Sequence, residues 1–175
     1  MCVERIRAGP NKATPPRVDE IRSATKPMAI TFFEHAALGF QVVRMDGVLT
    51  DAQLTALSQA HVGNRDWAAA DAIHIVDEAL DVSEVTYAHL DKLRALYRVL
   101  QASLDLHLVR RAAWVCPNPS AWSLLEYWLA DRHSRDGQGS DVCLVASLAE
   151  ASLLFDEEEL ATVSRWRGFT ELHRI

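Results

Sequence analysis

The apolar positions of this chain change spacing along its length, and the changes mark out the elements. Asp71-Ala-Ile-His-Ile-Val-Asp77 is a short apolar run, closed at both ends by acids, with the pattern of a strand buried in a sheet. From Thr86 to about Leu104 the spacing lengthens. Leu90, Leu93, Leu96, Tyr97 and Leu100 recur at helical intervals and predict a long helix with one buried face. That helix is long enough to cross the sheet and deliver the chain to a parallel neighbour at Val109 to Cys116, which completes a βαβ unit.

The same reading extends to both sides. Ala29 to Glu34 and Phe40 to Asp46 are β-like runs separated by a short segment containing Gly39, and they predict an antiparallel pair at one edge of the sheet. Thr50 and Gln53 have capping-box spacing and Leu49 and Leu54 the spacing of a hydrophobic staple, so a helix opens at Thr50 and runs to about His61. Gly63 and Asn64 break it. Val85 and Leu90 form a second staple around Thr86 as N-cap. Pro117-Asn118-Pro119 ends the next strand, with Asn118 as N-cap and Pro119 at the first helical position. Asp141 to Ala146 reads as another strand, and Ser147 with Glu150 as the capping box of a short helix through Phe155. Asp156 to Glu159 reads as the acidic first turn of a last helix ending near Trp166.

The predicted order is β-β-α-β-α-β-α-β-α. It defines a single α/β domain whose mixed five-stranded sheet is parallel after its first strand and flanked by helices. Residues 28–167 form this domain, 168–175 a C-terminal tail, and 1–27 a flexible basic tail with six Lys and Arg against three acids. Met28, just before the first strand, is a candidate start.

Charge and chemistry narrow the function classes by removal. A net charge of −6 argues against broad contact with nucleic-acid phosphates. No apolar run has transmembrane length and the first residues do not resemble a signal peptide, so stable membrane insertion is not expected and the expected compartment is the cytoplasm. Cys2, Cys116 and Cys143 have neither redox nor zinc spacing, and the latter two read as buried reduced thiols. The seven histidines are scattered singly, and His74 in the central strand reads as a satisfied core residue. No phosphate loop and no nucleophile–base–orienter set is visible, so neither catalysis nor a cofactor or metal is expected. Asp77, Glu78, Asp81, Ser83, Asn118, Ser120 and Ser147 gather where ligand crevices form in such sheets, but acids and hydroxyls there also serve as helix starts.

Gly39-Phe-Gln-Val-Val-Arg-Met-Asp-Gly-Val-Leu-Thr50, Ile73-His-Ile-Val-Asp77, Arg111-Ala-Ala-Trp-Val-Cys-Pro117 with Trp122, and Asp141 to Phe155 follow one another in a familiar order. Over residues 29 to 155 the chain resembles the STAS-like domains of anti-sigma-factor antagonists, in their SpoIIAA-like, Sec14-related branch. The resemblance implies a non-enzymatic regulatory module that binds a protein partner or its own copy. The alternative it implies is a carrier or receptor for a small apolar, lipid-like ligand. Phosphorylatable members carry an Asp-Ser-Ser-Gly-like motif after the central strand, whereas this chain has Asp81-Val-Ser-Glu-Val-Thr86. Ser83 and Thr86 occupy the place of the phosphosite, but capping already explains Thr86. Asp81, Ser83 and Thr86 are candidate partner-binding residues, joined by Tyr127 and Trp128. Those two belong to the helix from Ser120 to about Arg132, where Trp122, Leu125 and Leu129 follow one face and Leu124, Tyr127 and Trp128 spread onto others. The neighbouring helix and the segment around Trp166 would cover part of that surface, and the remainder would suit a symmetric homodimer.

Overall fold

The computed structural model describes residues 29–104, 110–130 and 141–175. The proposed basic tail at 1–27, Cys2, Met28 and Val109 lie outside these residues.

Six strands form one sheet: β1 (Ala29–His35), β2 (Gln41–Asp46), β3 (Ala72–Val76), β4 (Arg111–Val115), β5 (Asp141–Val145) and β6 (Phe169–Arg174). Their order across the sheet is β5-β4-β3-β2-β1-β6. The pairs β2–β3, β3–β4 and β4–β5 are parallel, and β1 is antiparallel to both its neighbours. The expected count of five strands is therefore corrected to six. Residues 168–175, read as a tail, supply the sixth strand, and the β1–β2 pair lies one strand inside the edge.

The helices are α1 (Asp51–Gly63), α2 (Arg65–Ala69), α3 (Tyr87–Leu104), α4 (Pro119–Leu129) and α5 (Glu157–Arg165), with a 3-10 helix at Leu148–Leu153. Their starts follow local chemistry. The Thr50 hydroxyl accepts from the Gln53 N–H while the Gln53 side chain reaches back to the Thr50 N–H, which closes the capping box. Asn64 ends α1 and caps α2, a short helix that the spacing did not predict. Thr86 and His89 cap one another reciprocally, so a histidine fills the acceptor role usually taken by Glu or Gln. Asp156 and Glu159 make the capping box of α5. Ser147 makes no cap; its hydroxyl donates to Glu150, and the turn that follows is 3-10.

Strand side chains alternate between two apolar clusters, one on each face. Ile30, Phe32, Val43, Met45, Val76, Trp114 and Cys116 join α1, α3 and α4 in the larger one. Val42, Ile73, Ala113 and Val115 meet the 3-10 helix and α5 in the other, where Phe40 and Phe155 pack edge to face. At the amino ends of β3 and β4, Arg111 donates to both carboxylate oxygens of Asp71 and to the Leu154 carbonyl, and it pairs with Glu159. This ties the sheet to α5. On α3, Leu90, Leu93 and Tyr97 are buried as the spacing requires, but Leu96 is exposed.

Candidate functional site

The segment Asp77–Thr86 between β3 and α3 is irregular yet heavily tied. The Ala79 N–H donates to the Asp77 carboxylate and the Ser83 N–H to the Asp81 carboxylate, each at 2.9 Å. The Asp81 backbone bridges to the β2–α1 turn: its N–H donates to the Gly47 carbonyl and its carbonyl accepts from the Leu49 N–H. Asn118 completes the fixation from below. Its amide nitrogen donates to the carbonyls of Glu78 at 3.1 Å and Leu80 at 2.8 Å, while its amide oxygen caps the first N–H groups of α4. The sequence marked Asn118 as a cap only. Its second role depends on two carbonyls nearly forty positions away, which no local pattern encodes.

Along this segment side chains divide by direction. Leu80, Val82 and Val85 are buried, and Asp81, Ser83, Glu84 and Thr86 face solvent. The Ser83 backbone N–H, and then its hydroxyl, hold the Asp81 carboxyl below its ordinary pKa. Beside the segment, the rings of Tyr87 and Tyr127 lie 4.4 Å apart, and the Tyr127 hydroxyl donates to Asp91 at 2.8 Å. Tyr87 is 49% exposed, and no local sequence pattern singles it out. The result is one surface with acids, hydroxyls and two tyrosines held in place.

Of the residues selected from sequence, the fold brings Asp81, Ser83, Thr86 and Tyr127 to this end of the molecule. It sends Trp128 inward. That side chain is 5% exposed, near Tyr97 and beneath the Arg94 guanidinium. The buried stripe of α4 runs through Ala121 and Trp128, whereas the sequence reading centred it on Trp122, Leu125 and Leu129. Trp166 does not cover α4 either; it packs on the opposite face of the sheet with Phe33 and Phe169. α3 covers α4 instead. Arg94 donates to the carbonyls of Tyr127 and Trp128 and lies over the Tyr127 ring.

Behind the inward face of the segment is a cavity of about 60 Å³. Its walls are Met45, His74, Val76 and Trp114 of the sheet, side chains of α1, α3 and α4, and Leu80, Val82 and Val85. His74 stacks on Trp114 at 4.0 Å, and His61 and Tyr97 hydrogen-bond to each other at 2.8 Å, so the lining is almost wholly apolar. Left empty, a void of this size costs on the order of 1.4 kcal/mol.

Among the described residues no three His, Cys, Asp or Glu side chains group to hold a metal ion, and no helix is long and apolar enough to cross a membrane. Cys116 is buried, which pushes its thiol up, and the thiol donates to the Asn118 carbonyl. Fold and surface define an α/β domain with a mixed sheet flanked by helices and a fixed acidic loop beyond its parallel strands. Comparison of the chain with protein-family models, curated proteins and solved structures finds no match.

Proposed function

We propose that this protein is a non-enzymatic, STAS-like regulatory module that binds a protein partner, or a second copy of itself, through the Asp77–Thr86 loop and the adjoining tyrosines. One observation carries the reading: a loop without regular structure is held by the β2–α1 turn and by Asn118, and it turns its polar side chains and Ala79 outward beside the exposed ring of Tyr87. A rigid surface with an exposed tyrosine loses little conformational freedom on association, which is what an interface needs. Ser83 and Thr86 lie within it, so a phosphate on either would add charge beside Asp81 and Glu84 and weaken docking to an acidic partner. The lipid-carrier alternative draws on the cavity, but about 60 Å³ is far below the volume of an acyl chain.

The test is a comparison of wild type with the double variant Glu84→Lys, Tyr87→Ala, since neither side chain is buried. Immobilised wild type should retain a specific protein, or sediment as a dimer, and the double variant should lose that behaviour at unchanged Tm. Identical recovery and identical mass for both would overturn the reading.

A further inference from the structure

The partner surface and the cavity share one wall. Leu80, Val82 and Val85 line the cavity from the loop side, and the residues between and beside them, Asp81, Ser83, Glu84 and Thr86, form the outward face. Any molecule that enters the cavity therefore touches the back of the surface that would meet a partner. α4 adds a second link, because Leu124, Leu125 and Trp128 line the same space and Tyr127 on the same helix packs on Tyr87.

The chemistry of the lining sets the ligand class. Apolar cavities stay dry, and one of roughly 150 Å³ takes benzene or xenon. At about 60 Å³ the space suits xenon or an apolar skeleton of roughly two or three heavy atoms. Among the described residues the wall offers no carboxylate, lysine or arginine to pair with a charged ligand, and its polar groups are the rings of two histidines, two tryptophans and a tyrosine, of which His61 and Tyr97 hydrogen-bond to each other. We infer that the cavity is a regulatory site for a compact, uncharged, apolar molecule, and that its occupancy packs the inner side of the Leu80–Val85 wall and so stabilises the outer surface. The inference rests on the protein-binding reading of that surface, but ligand entry and loop response are measurable on the isolated chain. The physical route is packing: Leu80, Val82 and Val85 face the void and lack contacts on that side, and a molecule that fills it supplies them, adding to the backbone ties of the segment.

The test uses xenon and ethane under pressure, with decanoate as the long-chain comparison. At ligand concentrations about ten times Kd, Tm should rise by roughly 3 °C. The amides of Asp81 to Thr86 should shift and exchange more slowly. Decanoate should do neither. Ala121→Leu, which fills the cavity from the first turn of α4, should abolish both responses; if it does not fold, Val82→Ile serves the same purpose from the loop. A chain whose Tm and loop amides ignore both gases overturns the inference. A Tm rise with silent loop amides also overturns it, because the coupling is then absent. Binding of decanoate overturns the ligand class and returns the carrier reading. Failure of the Glu84 and Tyr87 variant to affect partner recovery would sink the partner surface alone and leave these outcomes intact.

Discussion

At Asn118 a single side-chain amide serves two elements, its oxygen capping α4 and its nitrogen holding the carbonyls of Glu78 and Leu80. Asn118→Asp keeps the capping oxygen but sets a carboxylate against two carbonyls. We expect a loss of about 2 kcal/mol in chemical denaturation, with faster amide exchange confined first to Asp77–Thr86. Wild-type exchange rates in that segment would show that the amide is not what fixes it. Thr86→Ala should cost about 1 kcal/mol as a lost cap, and stoichiometric phosphate found at Thr86 or Ser83 in the native cell would replace that structural account with a regulatory one. Asp81 gives the pH dependence. Its folded pKa is lowered, so the order it lends the turn is fully present above the ordinary carboxylate range and is lost as pH falls through the depressed value. The Ser83 amide should report that transition by NMR, with a midpoint below the usual Asp value; a midpoint at or above it would contradict the turn geometry.

Among the elements, those whose signals are local were readable from the chain. The helix starts at Thr50, Thr86 and Asn118 rest on residues within five positions of one another, and the structure forms all three. The apolar run at Ala72–Val76 is interior, as its two acid-bounded ends imply. β6 was missed for a physical reason. The pairing with β1 shifts between Phe32 and Phe33, so Leu172 stands opposite neither and its side chain joins the α1 face with that of His173. The apolar residues Phe169 and Leu172 are three apart and pack on opposite faces of the sheet, so neither face of the segment shows an apolar alternation. Entry into β6 needs Gly168, whose φ of 79° and whose closeness to the His35 ring leave no room for a side chain. The candidate site was half legible. Its loop residues were marked, but Tyr87 and the inward turn of Trp128 depend on how α3 and α4 cross, a tertiary fact outside any helical period. For the same reason the cavity had no sequence signature.

For the molecule as a whole, the two faces of the sheet are unequal. Among the described residues α1 to α4 cover one and α5 with the 3-10 helix covers the other, and β6 closes the sheet beyond β1. Removing residues 169–175 should strip the hydrogen-bond partner from β1 and uncover Ile30 and Phe32, which are fully buried. We expect that shortened chain to aggregate on expression, whereas a soluble, folded product with wild-type Tm would show that β6 is an accessory.

The β1–β6 pairing also sets a timetable. β1 is made early and its outer partner only after more than a hundred further residues have been joined. At about 5–20 residues per second a nascent chain therefore carries an open, apolar strand edge for roughly ten seconds or more. During that interval β1 is a template for any neighbouring chain on the same message. Slower translation between β1 and β6 should therefore lower the soluble yield of the protein, and an equal yield at every pace would show that the open edge is harmless.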